Sequence, residues 1–367
     1  MSAPAEEPKV EQGKATVPPW QETRLARYPR KHKIAAVIGF LVVIIAPWFV
    51  PVAVLEDVKK LQPEISSESG DTSNGIQLPD TAEHALGPAD FSGEALNDQD
   101  DRNIKMVKAP DTGLSEDTRE GSLPRIGEDG RQPWQIYARP FNTSDRRPRI
   151  AIVVVDLGLS RVTTDAAINR LPANVTLAFD AQSPVIGAWN SRARQDGHET
   201  LMMIPMEPFD YPRSDPGPNV LLTNVPNTDN LARLYNSLRQ ASGYVGIMTL
   251  SGSRFTTDPD KLAPVLDVLR KRGLMIFDAR IAPHSAIMDM ARNQHVPAVA
   301  STLRIDQNPS PEAIDASLAQ LEKTARLTGH AVGIISALPV SVDRLQVWLK
   351  DLPQRGIALA PLSAMVQ

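Results

Sequence analysis

"RIAIVVVDLGLS", Arg149 to Ser160, is a short apolar run that ends in one carboxylate and a glycine. A continuous β-branched stretch of this length reads as a strand buried on both faces, the kind found in parallel sheets. Such a strand delivers Asp156 to its C-terminal end, where α/β folds keep their chemistry. The residue just before it, Val155, is aliphatic.

Outward from this strand, apolar runs alternate with helical patterns to the end of the chain. Strands are predicted at 150–155, 175–179, 200–204, 244–248, 274–277, 297–300, 331–335 and 357–361, with helical segments such as 259–272, 310–328 and 341–351 between them. In "PDKLAPVLDVLRKRG", Leu262, Val265, Leu266, Val268 and Leu269 make one helical face, and Gly273 stands as a C′ stop. Strands alternating with helices imply parallel βαβ units, hence an open α/β sheet or a β/α barrel. The roughly 220 residues from Arg149 onward suit a somewhat reduced barrel.

The composition narrows the chemistry. The chain has 367 residues and a net charge of -4, which gives no electrostatic case for nucleic acid as a partner. It has no cysteine, so thiolate ligands and a cysteine nucleophile are excluded. Its six histidines are His32, His84, His198, His284, His295 and His330. Neither Gly-x-Gly-x-x-Gly nor the P-loop pattern occurs, so nucleotide binding lacks support.

Residues 34–55, "IAAVIGFLVVIIAPWFVPVAVL", carry no charge. As a helix they would cross a bilayer core of about 30 Å. Arg24, Arg27, Arg30, Lys31 and Lys33 precede them and would hold a basic tail, 1–33, in the cytoplasm. A cleaved signal or a buried core helix is the competing reading, but the run is longer than a signal's h-region of about 7–15 residues. Residues 56–120 are rich in Asp, Glu, Ser, Gly and Pro without apolar period and are expected to form a disordered periplasmic linker. Over 121–148, Trp134, Tyr137 and Phe141 follow a Gly-rich turn, and this arm is expected to pack on the domain 149–367. A linker that binds a partner is the alternative.

Several phrases together resemble the divergent polysaccharide deacetylases, relatives of the NodB-type carbohydrate esterases. They are "IAIVVVDLGLS", "LPANVTLAFD", "GHETLMMIPMEPFDYPRSDPGP", "GSRFT", "FDAR" and "LQVWLKDLPQRGIALAPLSAM", in order across 149–367, with "PRIGEDGRQPW" resembling the arm before such domains. "PMEP" followed by "PGP" is the most specific piece. The resemblance implies a distorted β/α barrel with a site at the strand C-termini. It also implies an Asp-Asp pair, two metal-binding histidines and a late Gly-His-Pro. There, a divalent metal would activate water and polarise the amide carbonyl. One carboxylate would act as base and the late histidine as acid.

Carried over residue by residue, most of that set is missing. Asp156 matches the metal-binding Asp, while Val155 stands at the base position. Met203 and Leu250 take the two histidine positions, and Ser336 that of the late histidine. None of these four side chains suits a zinc site or proton transfer. His198 precedes its strand, His284 follows "FDAR" and could approach the strand tops, and His295 and His330 precede strands, at the barrel bottom. The retained candidates for ligand binding are Asp156, Glu207, Ser253, Arg254, Asp278 and Arg280. Asp278 and Arg280 could form an ion pair, with Arg254 competing. Glu207 and Arg254 could instead only brace the rim.

The expectation is a single-pass inner-membrane protein whose periplasmic domain has lost its metal site. It would bind envelope glycan or envelope proteins, and no cofactor is expected. The linker would give it a reach of about 45 Å. The alternative is an active deacetylase holding a different divalent metal by Asp156 with Asp278, Asp306 or Glu207. A third possibility is a structural tether that recruits a partner through residues 121–141.

Overall fold

A computed structural model describes residues 104–366. The expected tail, the membrane span 34–55 and the linker up to residue 103 lie outside the described residues. Among the described residues no helix is long and apolar enough to cross a membrane.

The described residues begin before the arm. Strands β1 (Ser115–Thr118) and β2 (Gly121–Pro124) form an antiparallel hairpin, and helix α1 (Pro133–Ile136) follows. The disordered linker expected over 56–120 is thereby corrected: residues 104–120 belong to the fold. Their polar composition hides three anchors. Leu114 is fully buried, Arg272 Nη1 meets Glu116 at 2.8 Å, and Arg239 Nη1 meets Glu120 at 2.7 Å.

The domain alternates β3 (Arg149–Leu157), α2 (Arg161–Arg170), β4 (Thr176–Asp180), α3 (Ile186–Gln195), β5 (Thr200–Met206), α4 (Asn227–Leu238) and β6 (Gly246–Ser251). It continues with α5 (Pro259–Arg272), β7 (Met275–Asp278), α6 (Ile287–Asn293), β8 (Ala298–Ala300) and β9 (Leu303–Arg304). The last elements are α7 (Pro311–Thr328), β10 (His330–Ser336), α8 (Pro339–Lys350) and β11 (Ala358–Leu359). The helices start and stop for local reasons. Asp258 and Ser310 cap α5 and α7 through their side chains, each followed by proline at the first helical position. Gly273 and Gly329, both left-handed, end them.

The sheet is parallel throughout, in the order β8-β7-β6-β5-β4-β3-β10-β9, with β11 also on β3. Its two ends, β8 and β9, are consecutive in the chain and separated by Ser301 and Thr302 alone. Ser301 N donates to Asp278 O on one side (2.9 Å) and Thr302 N to Val332 O on the other (2.7 Å). The curled, barrel-like sheet is therefore bridged at this seam by the chain itself.

Alternation along β3 divides the core. Ile150, Ile152 and Val154 face the helices, while Ala151, Val153 and Val155 face the interior with Met203, Met248, Phe277 and Ile334. The arm packs under that interior. Tyr137 is buried in it, Trp134 and Phe141 pack against it, and the turn Leu362–Met365 joins them.

Candidate functional site

The strand C-termini surround a cavity of about 480 Å³. Its floor holds Val155, Met203, Met248, Leu250 and Ile334, and its walls Asp156, Ser251, Arg280 and Arg304. Four positions to which the sequence assigns the family's chemistry (Val155, Asp156, Met203 and Leu250) thus meet in one place. Val155 and Met203 also belong to the barrel's interior cluster, so the floor of the cavity is the top layer of the core.

Backbone shape puts Asp156 there. The β3–β4 register shifts between Val154 and Leu157, and Asp156 takes φ 62°, a left-handed conformation unusual for a residue with a side chain. Ser251 at the end of β6 (φ 58°) and Arg280 after β7 (φ 50°) share it. Gly252 follows Ser251 with φ 98°, and a Cβ there would lie 2.8 Å from Met206 Cβ, so the tight turn into "SRFT" requires glycine.

Arg304, on the two-residue strand β9, is the residue the sequence reading missed. Its guanidinium lies 3.8 Å from Asp156 Oδ2 and 3.4 Å from Asp306 Oδ1, and Nη2 donates to Ser336 Oγ. Asp306 is buried beneath it, with Oδ2 accepting from Ser336 N at 2.7 Å and Ser341 Oγ at 3.0 Å. The retained Asp156 and the residue at the late-histidine position, Ser336, are thus both joined to one cation from the protein itself. No motif marks this arginine. Only its position beside the barrel seam reveals it.

The other candidates sort differently. Glu207 is buried, and its Oε2 accepts from Thr223 N (2.5 Å) and Oγ1 (2.8 Å), while Oε1 meets Arg254 Nη1 at 3.5 Å. Ser253 Oγ accepts from Phe209 N at 3.0 Å, and Arg254 Nη2 donates to Phe209 O at 3.0 Å. These three residues tie the loop after β5 to the loop after β6 and do not line the cavity.

The expected Asp278–Arg280 ion pair is corrected. Asp278 Oδ1 accepts the backbone N–H of Arg280 at 2.8 Å, because the left-handed turn brings that amide onto the carboxylate, and the Arg280 charge acts on Asp278 without a contact ion pair. Arg254 does not compete for Asp278, since it pairs with Glu207. Burial pushes the Asp278 carboxyl above its usual value, as it does that of Asp180 at the end of β4.

The histidines stay away from the cavity. His198 is buried, its ring nitrogens 2.9 Å from Val175 O and 3.1 Å from Ile168 O, and burial holds its pKa below the usual value. His284 is exposed in the turn before α6 and does not line the cavity, and His295 is exposed after that helix. His330 starts β10 at the opposite end of the barrel.

The metal implied by the resemblance does not fit these residues. Asp156 is one donor, and the neighbouring positions offer a thioether and two hydrocarbons. The alternative set of Asp156 with Glu207, Asp278 or Asp306 does not assemble either. Among the described residues no group of three or more His, Cys, Asp or Glu is placed to hold a metal ion.

Residues 152–366 match the divergent polysaccharide deacetylase family. An uncharacterized protein of Agrobacterium tumefaciens C58, known from its crystal structure, is 37% identical with a TM-score of 0.66, over 67% of this chain and 100% of that one. An uncharacterized Haemophilus influenzae protein is 25% identical over 207 residues, covering 56% of this chain and 72% of that protein. The uncharacterized protein YibQ of Escherichia coli K12 is 24% identical over 219 residues, covering 59% of this chain and 67% of YibQ. With its family model matched over more than half of its length, the chain belongs to the divergent polysaccharide deacetylases.

Proposed function

We propose that this protein is a non-catalytic member of its family, a binding module for cell-envelope glycan. One observation carries the reading: the cavity keeps its place at the strand tops, while Val155, Met203 and Leu250 extend the apolar core into it. Valine and leucine neither coordinate zinc nor transfer protons, and loss of a general acid or base alone typically removes a factor of 10²–10⁴ in rate. An apolar floor with polar walls still suits a sugar, whose ring has apolar faces and a polar rim.

The span 34–55 supports a further part of the reading: an inner-membrane anchor with residues 104–366 in the periplasm. Fractionation of cells expressing the full chain and a form lacking 34–55 tests this. The full chain is expected in the membrane fraction and the shortened form outside it.

For the central reading, the full chain is assayed on chito-oligosaccharides with added Zn, Co and Mn, and for retention on peptidoglycan. Retention without release of acetate is the expected result. Metal-dependent turnover abolished by Asp156→Asn would overturn it.

A further inference from the structure

We infer that the strand-top cavity is an acid-recognition site, which takes the carboxylate of an acidic sugar between the guanidinium groups of Arg280 and Arg304. The inference rests on the glycan-binding reading above and adds the ligand's chemical class.

The two arginines reach the cavity from opposite sides of the barrel seam, Arg280 after β7 and Arg304 on β9. Arg280 is held by its backbone: its N–H is on Asp278 Oδ1, and Ser301 Oγ donates to Ala279 O at 3.0 Å. Its side chain is exposed, lines the cavity and makes no contact ion pair among the described residues, its charge acting on the Asp278 carboxyl at longer range. Arg304 has five N–H donors, of which one hydrogen-bonds a protein acceptor, Ser336 Oγ. The buried Asp306 is its fixed counter-ion, whereas Asp156, half exposed and 3.8 Å away, is too distant for a hydrogen bond. Donors are therefore left facing the cavity, and guanidinium forks match carboxylate oxygens in geometry and charge.

Backbone strain marks the same place. Among the described residues, five non-glycine residues have positive φ, and three of them, Asp156, Ser251 and Arg280, line this cavity. Left-handed residues cluster where a fold holds side chains for a ligand. Thr249 and Ser251 add hydroxyls beside the apolar floor, and the volume lies within the range of small-molecule sites.

A bound carboxylate would displace Asp156 from Arg304. Asp156 is thus a competitor of the ligand, the reverse of its role in a metal site.

The test is calorimetric titration of the full chain with N-acetylmuramic acid and with N-acetylglucosamine, which differ by one lactyl carboxylate, and with malonate as a carboxylate without a sugar. The acidic sugar is expected to bind at least about tenfold tighter than the neutral one, the effect of one charge-assisted contact. Arg280→Gln should remove that advantage, added salt should weaken it, and Asp156→Asn should strengthen binding. Because Arg280 is exposed, its replacement leaves the fold intact, which circular dichroism checks independently of Arg304. Equal binding of the two sugars overturns acid recognition and leaves the glycan reading standing. Malonate binding with the same response to the variants, but no sugar binding, keeps the anion site and overturns the glycan reading. No binding of any of the three overturns both readings, and weaker binding by Asp156→Asn overturns the acid site alone.

Discussion

The two ends of the barrel are built on opposite terms. At the bottom, charged groups are buried and matched. Arg139 gives Nε to Asn174 Oδ1 at 2.5 Å and Nη1 to Gly197 O at 2.8 Å, and Glu199 accepts from Ser363 N at 3.0 Å and Arg139 N at 3.3 Å. Arg194 donates to Tyr137 O (3.0 Å) and Val107 O (2.8 Å), stacks 5.0 Å from the Tyr137 ring, and is pushed down to about 10 by burial. This network fastens the arm under the core. At the top, the arginines are exposed, the ion pairs are long, and three non-glycine residues are left-handed. The bottom is arranged for stability, while the strained and exposed top is the arrangement that the proposed binding role requires.

That contrast is sharpest under substitution. Arg139→Ala at the bottom strips a fully buried guanidinium from its partners and is expected to cost about 3–5 kcal/mol in urea unfolding. A loss below ~1 kcal/mol would mean that the network does not hold the arm.

At the top, combining Val155→Asp, Met203→His and Leu250→His supplies the missing donors around Asp156. Zinc should then raise the melting temperature of this variant and not of the parent, with about 2.7 kcal/mol of stabilisation at a hundredfold excess over Kd. No response to zinc would show that the three positions do not converge on Asp156.

Ser251→Gly should stabilise. A left-handed residue with a side chain costs roughly 1–2 kcal/mol, partly offset by the unfolded-state freedom of glycine, leaving a gain of about 0.5–1 kcal/mol. Destabilisation would remove the claim of strain at the top.

The smallest effect concerns pH. Burial raises the Asp278 carboxyl above its usual 3.8, so its contribution to stability is complete below that value and is lost as pH rises through the raised one. Asp278→Asn keeps an acceptor for Arg280 N–H, and its stability should therefore fall less than the parent's between about pH 4 and 7. Identical pH profiles would show that Asp278 is not held in a desolvated site.

Much of the frame was legible in the sequence, because strands buried on both faces leave uninterrupted apolar runs. Helix α5 matches its predicted span, fixed by Asp258-Pro259 at one end and Gly273 at the other. The last strand is shorter than predicted, two residues in place of five, because Pro361 starts the turn into Leu362–Met365. The site was legible only where residues follow a long strand, as Asp156 and Met203 do. Arg304 lies on a two-residue strand whose pairing depends on the seam, which no local pattern encodes. Glu207, Ser253 and Arg254 are near the strand tops, but their hydrogen bonds turn them onto one another's loops, a choice set by tertiary contacts. The Asp278–Arg280 pair failed for a similar reason: spacing of two residues does not reveal a left-handed turn.

In the proposed function, the positive charge beside Asp156 is the Arg304 guanidinium and not a metal. Elemental analysis of the full chain purified without chelator, in parallel with Asp156→Asn, tests it most directly. The account predicts no stoichiometric divalent metal in either protein; one zinc per chain in the parent, lost in Asp156→Asn, would contradict it.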